Sequence, residues 1–181
     1  CDLCIMSPDR CHFHLGTCRD NTFAEQFCMQ PHRVYLANST GLKVGITRAE
    51  NLPSRWLDQG ATQGLVIMTA STRRQSGLIE AALKAHVSDR TQWQRMLKGP
   101  GEILDLPAER DRLLALAADA ISAIQAEFEP GAMAVAETAE TMRFDYPVTQ
   151  YPEKVKSYNL DKTPVLEGTL LGIKAQYLIL D

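Results

Sequence analysis

Eight residues among the first 32 carry side chains able to ligate a soft metal: Cys1, Cys4, Cys11, Cys18, Cys28, His12, His14 and His32. All five cysteines of the chain lie in this stretch. The spacings Cys1-x2-Cys4, Cys11-x2-His14 and Cys28-x3-His32 are those with which a tight turn presents two ligands to one tetrahedral Zn²⁺. One complete set is Cys1, Cys4, Cys11 and His14, which leaves Cys18, Cys28 and His32 one ligand short. That shortfall can be filled by His12, by a residue upstream of Cys1, or by an exchange of ligands between the two sets. A segment with Phe13, Phe23 and Phe27 as its main bulky apolar groups has little core of its own. Metal binding would therefore supply its folding free energy, and the zinc is expected to be structural. A disulfide-linked secreted segment and unrelated buried thiols are the competing readings. An odd cysteine count without a secretory leader speaks against the first, and the interleaved histidines speak against the second.

Charge is distributed as unevenly as the cysteines. Residues 1–32 hold two arginines and four acids, residues 33–98 ten basic residues against four acids, and residues 99–181 seven against fourteen. The middle is thus +6 and its flanks −2 and −7, within a chain of net charge −3. A basic segment in an acidic chain suggests a local polyanion site rather than a protein that coats nucleic acid over its whole surface. Composition is otherwise that of a globular protein, 45% apolar and 23% charged. No apolar run is long enough to span a bilayer, and a cytoplasmic location without membrane attachment is expected. The first residue is Cys1 rather than Met and the last residues form an apolar run, so the chain reads as the ordered part of a longer one.

The basic middle must be built from short elements. Residues 33–37 and 42–47 are β-prone runs joined by the turn-forming Asn38-Ser39-Thr40-Gly41, a hairpin pattern. Pro53 opens a helix over 54–59, and Gly60 ends it. Residues 64–70 form a buried strand. From Ser76 as N-cap, the spacing of Leu78, Ile79, Ala82, Leu83 and Val87 predicts a helix over 77–87.

In this order of elements, Arg33-Val34-Tyr35 and Lys43-Val44-Gly45 stand on the two hairpin strands, Arg55 follows Gly45 by ten residues, and Glu80 lies in Leu78-Ile79-Glu80. With those residues the stretch 33–98 resembles the GIY-YIG nuclease family. The resemblance implies a β-β-α-β-α module that cleaves DNA or RNA. In it the Tyr35 hydroxyl activates water or relays its proton, the Arg55 guanidinium holds phosphate oxygens, and Glu80 anchors a hydrated Mg²⁺ or Mn²⁺. Thr47 and Arg48 would add substrate contacts. The pattern departs from the family at three places: Lys43 stands for the second tyrosine, Gln59 for a histidine after the arginine, and Ser88-Asp89-Arg90-Thr91 where an asparagine is found. Lys43 is the residue left to act electrostatically in the missing tyrosine's place. Trp56 and Trp93 are expected to pack rather than to stack on bases.

Beyond Lys98-Gly99-Pro100-Gly101 the composition changes, which suggests a boundary. One long helix is expected over 107–128, with an apolar stripe of Leu113, Leu114, Leu116, Ala117, Ala120, Ile121, Ile124 and Phe128. Short antiparallel strands are expected over 142–146, 155–159 and 165–180. The cysteine cluster running directly into the hairpin also resembles a bacterial family of unknown function. The fold expected is α+β, in three parts: a zinc-binding segment (1–32), a GIY-YIG-like module (33–98), and a long helix with a small antiparallel β region (99–181). Three functions remain open: a metal-dependent nuclease, a nucleic-acid-binding module without turnover, and a protein-interaction scaffold.

Overall fold

The computed structural model describes residues 2–87 and 92–181. Cys1, a candidate zinc ligand, and residues 88–91, one of the departures noted above, lie outside the described residues.

The N-terminal segment contains only single turns: α1 (Asp2–Met6), two 3-10 turns (Pro8–Arg10 and Phe13–Leu15), and α2 (Asn21–Phe23), which widens into a π turn (Ala24–Cys28). Its anchor is Pro8, buried against the helix that carries Gly77. A Cβ on Gly77 would meet the Asp9 amide nitrogen at 2.6 Å, so only glycine admits this approach.

Two strands follow, β1 (His32–Asn38) and β2 (Leu42–Arg48), paired antiparallel with Tyr35 opposite Gly45 and Ala37 opposite Lys43. After a 3-10 turn at Ala49–Asn51 come α3 (Ser54–Asp58) and β3 (Gln63–Ala70), which pairs antiparallel with the other edge of β1. Val34 faces Met68 while Tyr35 faces Val66, so Ile67 is an extra residue on β3. Such a bulge re-aims the side chains beside it.

Helix α4 runs from Arg73 to Lys84, one turn earlier than the spacing of apolar residues predicts. Its cap is Thr72, whose hydroxyl accepts from the Gln75 amide at 3.4 Å while the Gln75 side chain accepts from the Thr72 amide at 2.9 Å. This reciprocal box outcompetes Ser76. The Ser76 hydroxyl instead donates back to the Arg73 carbonyl inside the helix. After the short α5 (Trp93–Met96), the expected long helix is two, α6 (Leu106–Leu116) and α7 (Ala118–Ala126), broken at Ala117 where φ is −100°.

The remaining strands are β4 (Met133–Val135) and β5 (Met142–Arg143), both on β3, and the hairpin β6 (Leu170–Lys174) with β7 (Tyr177–Leu180). The main sheet is ordered β2-β1-β3-β4, with β5 also on β3. Residues 155–159, expected as a strand, are not paired as one. The expected 165–180 run is the β6-β7 hairpin.

Because β1 is central, it is buried on both faces. One face carries Val34, Leu36, Val44, Leu65 and Ile67 against Ile79 and Leu83 of α4 and against Leu106, Leu113 and Ile121 of α6 and α7. The last two helices thus close the same core as the sheet. Leu116, expected on their apolar stripe, is exposed, because the buried positions Leu113, Ala117 and Ile121 recur every four residues across the break and leave Leu116 off that line. The opposite face of β1 presents Tyr35 and Ala37 to Trp56 of α3 and to Ala61. A third cluster of Met96, Leu97 and Ile179, with Trp93 stacked on Tyr177, holds the β6-β7 hairpin. The fold is α+β with antiparallel sheets. Among the described residues no helix is long and apolar enough to cross a membrane.

Candidate functional site

The second face of β1 is where chemistry-bearing side chains meet. Alternation along the strands puts Arg33, Tyr35 and Ala37 on the same side as Lys43, Gly45 and Thr47, their cross-strand partners. Tyr35 is 1% exposed. Its ring lies flat over Gly45, where a Cβ would meet the phenol oxygen at 2.6 Å. Trp56 closes the other side, edge-on with ring centroids 5.8 Å apart.

The Tyr35 hydroxyl is held by Gln59. The amide Nε2 donates to it at 3.0 Å, and the hydroxyl stands 3.3 Å from Oε1. Burial pushes the Tyr35 pKa above its usual value, opposed by the positive charge of Arg55 and by hydrogen bonds from Gln59 and Arg55. The negative charge of Glu80 pushes it further up. Three of the residues picked out by the resemblance, Tyr35, Arg55 and Glu80, are therefore within electrostatic reach of one another, although they come from β1, α3 and α4.

These residues differ in exposure. Arg55 is exposed at the surface of α3. Glu80 is half-buried on α4, and its carboxylate pairs with Lys84 one turn on at 3.3 Å. Lys43 is half-buried on β2, and Thr47 is buried. Arg48 pairs with Glu50 at 2.7 Å and lays its guanidinium over the Phe27 ring, 4.8 Å from the centroid.

Beside this face opens a cleft of about 860 Å³ between the N-terminal segment and the sheet. Thr47, Arg48, Arg55 and Arg73 line one wall; Cys4, Cys11, Cys18, Cys28, Phe23 and Phe27 line the other. Arg55 belongs both to the cleft and to the surroundings of Tyr35. Arg73 was not foreseen from the sequence. Its Nη2 donates to the Ile5 carbonyl at 2.9 Å, which ties the cysteine-rich segment to the start of α4. The signal for it was the Thr72-x2-Gln75 box, which places Arg73 at the first position of the helix.

The four described cysteines are not disulfide-bonded and are partly buried. Burial pushes the Cys28 thiol pKa up, opposed by Arg73, with the Cys11 and Cys18 thiols adding to the rise. His14 is exposed and lines no part of the cleft, while His12 Nδ1 bonds the Thr17 hydroxyl at 2.7 Å. His32 is fully buried, and its pKa is lowered by burial. Among the described residues no three His, Cys, Asp or Glu side chains already stand in ligating geometry.

Fold and cleft together define an α+β protein with a basic, cysteine-walled cleft beside a tyrosine-bearing sheet face. The chain belongs to a family described as a protein of unknown function, DUF2797, which matches residues 1–181. No curated protein and no solved structure matches it.

Proposed function

We propose that the protein cleaves phosphodiester bonds of DNA or RNA at the Tyr35–Arg55–Glu80 face, in a degenerate version of a GIY-YIG site. The observation that carries this reading is the convergence of a phenol, a guanidinium and a carboxylate from three separate elements, on a β-β-α-β-α frame with β1 between β2 and β3. The family likeness rests on this order and on the residue positions.

Each side chain suits one part of the reaction. Hydrolysis adds a water oxygen to phosphorus, breaks the bond to one sugar oxygen, and returns a proton to that oxygen. Arg55, exposed and forked, holds the non-bridging oxygens as their charge develops. Tyr35, with its pKa raised, stays protonated near neutral pH and so serves as proton donor or relay rather than as base. A half-buried carboxylate, Glu80, which is paired with Lys84 at 3.3 Å, would suit a Mg²⁺ or Mn²⁺ that keeps most of its waters. Such an ion, held by Glu80, would supply charge neutralisation at phosphate and would make a water more acidic. Arg48 and Arg73 extend the positive charge of the cleft wall, along which a nucleic-acid strand would lie, with Thr47 beside them.

The test is incubation of purified protein with single-stranded, duplex and branched DNA and RNA, with and without Mn²⁺, beside Glu80→Ala and Arg55→Ala. Cleavage that needs the ion and falls by roughly 10²–10³ in either variant is expected. Inertness of the unmodified protein toward all these substrates refutes cleavage.

A second reading, nucleic-acid binding without turnover, draws on one specific observation: Tyr35 is 1% exposed and its hydroxyl is already engaged by Gln59. On that reading affinity falls steeply with salt as counterions are released, weakens in Arg55→Ala, and no product forms.

A further inference from the structure

Large apolar side chains stand open to water along the cysteine-walled cleft: Ile5 is 55% exposed, Met6 80% and Phe23 45%. A segment this short of core should bury its few bulky groups first. Phe27 is indeed partly buried, with the Arg48 guanidinium 4.8 Å from its ring centroid. Phe23 packs on Phe27 at 4.7 Å between centroids, tilted by 37°, yet it stays exposed along the cleft. Its place is held by the chain, since Asp20 Oδ1 accepts from the Phe23 amide at 2.9 Å and caps the turn that carries both rings.

Positive charge surrounds these apolar groups. Among the described residues that line the cleft are Arg19, Arg48, Arg55 and Arg73, against one acid, Asp20, already engaged as that cap. Arg48 is paired with Glu50, which does not line the cleft. Arg73 gives one bond to the Ile5 carbonyl, but a guanidinium carries five N–H donors, so most remain for a ligand. Arg55 is exposed.

A ligand that answers both features has a flat apolar face with negative charge beside it. A nucleotide is built this way: its base stacks on an aromatic ring while its phosphates meet arginines. The cleft volume of about 860 Å³ is that of a small-molecule pocket, room for roughly one or two nucleotides. A paired base inside a duplex shows its ring faces only to its neighbours in the stack, so an unpaired base is the one that can reach Phe23. An acidic peptide with apolar side chains matches the charge as well. Nucleic acid is favoured because Arg55 lines the cleft and also acts on Tyr35, which makes the cleft continuous with the Tyr35 face.

We infer that the cleft seats an unpaired base of single-stranded DNA or RNA on the Phe23 ring, with the flanking phosphates on Arg55 and Arg73. This rests on the reading of the neighbouring face as a nucleic-acid site and names its substrate class: the base held at Phe23 sets the register of the strand that runs past Arg55.

The test is fluorescence anisotropy with the full chain and a labelled single strand of about ten nucleotides, without Mg²⁺ or Mn²⁺, so that binding is read apart from cleavage. The single strand is expected to bind more tightly than its duplex and than an abasic strand of equal length. Phe23→Ala is expected to weaken single-strand binding by about 5–150-fold, the worth of one base–aromatic stack, and Phe23→Trp to retain it. The salt dependence should be the same in Phe23→Ala as in the unmodified protein, because no phosphate contact is lost, whereas a collapsed cleft would change it. Equal affinity for abasic and base-bearing strands overturns the inference without any substitution, so misfolding of a variant does not blunt the test. Unchanged affinity in Phe23→Ala, or displacement of the strand by a glutamate- and leucine-rich peptide at lower concentration than by unlabelled strand, overturns it too. If duplex is then bound or cut, the function proposed above still stands; if no nucleic acid binds, both fall. Stacked binding without cleavage upholds the inference and removes only the turnover.

Discussion

Lys174 offers a sharp check on the packing of the C-terminal hairpin against the rest of the chain. The residue is 0% exposed, on β6. Its ammonium donates to the Gly99 carbonyl at 2.6 Å and lies over the rings of Tyr146 and Tyr151, 5.4 and 5.3 Å from their centroids. Carbonyl and ring faces replace only part of the water lost, and burial lowers its pKa from 10.5 to about 8. Below pH 8 the amine is charged in folded and unfolded chains alike, and its contribution to stability does not change with pH. Between pH 8 and 10.5 the unfolded chain keeps the proton that the folded chain has shed, so stability rises with pH. Integrated from pH 7 to 10, the rise is about 2.5 kcal/mol. Urea unfolding of the protein and of Lys174→Met across that range isolates it, because groups common to both, such as the Cys28 thiol, cancel in the difference. The unmodified protein should gain about 2.5 kcal/mol on the variant as the pH rises. Measurement stops at pH 10, since the pKa of Tyr146, raised to about 12 by burial, brings an opposing slope above its usual 10. A difference that stays flat would show that Lys174 is hydrated and that the hairpin does not cover it.

Two further substitutions probe the site and its supports. Gly45→Ala places a methyl group 2.6 Å from the Tyr35 oxygen and must move the ring; a loss of about 1–3 kcal/mol in urea unfolding, with weakened nucleic-acid binding or cleavage, is expected. Thr72→Ala removes the capping box of α4 and should cost about 1 kcal/mol, with faster hydrogen exchange confined to the first turn that carries Arg73.

The hairpin was legible because its signals are local. Asn38-Ser39-Thr40-Gly41 is a turn by composition, Gly41 adopts φ +149°, and the flanking runs are β-prone. The elements that carry Tyr35, Arg55 and Glu80 were equally legible, since the strand, the short helix after Pro53 and the helix through Leu78-Ile79 each follow from local spacing. Signals that depend on competition misled. Ser76 looks like a cap, yet Thr72 and Gln75 bond each other's backbone and start α4 earlier. No Gly or Pro marks the break at Ala117, and the buried spacing of Leu113, Ala117 and Ile121 runs across it as in one helix. What could not be read at all is a buried amide network. Asn38 donates to Gln63 at 2.9 Å and to the Glu102 carbonyl at 2.6 Å, while Gln63 exchanges two bonds of 2.8 Å with the backbone of Leu104. In sequence these residues are merely polar ends of strands. Only the fold brings residues 102–104 over them, stitching the sheet to the segment that precedes α6.

Tyr35 decides between the two functional readings, and its surroundings say how. A phenol whose raised pKa keeps it protonated is a poor general base, so on the cleavage reading Tyr35 would donate or relay a proton and another group would take one from water. If the face cleaves, Tyr35→Phe keeps the packing against Trp56 and removes only a proton relay; loss of the Glu80 carboxylate removes the anchor of the ion. The Glu80→Ala defect should then be clearly the larger of the two at saturating Mn²⁺, and the Tyr35→Phe defect should ease with substrates whose leaving group needs no proton, such as an activated aryl phosphodiester. If the face only binds, Tyr35→Phe leaves affinity for a single-stranded oligonucleotide within about twofold, because no phosphate reaches a hydroxyl that Gln59 already holds, while Arg55→Ala lowers it and flattens its dependence on salt. The ratio of these variants, rather than the activity of any one, separates a relay from a packing residue.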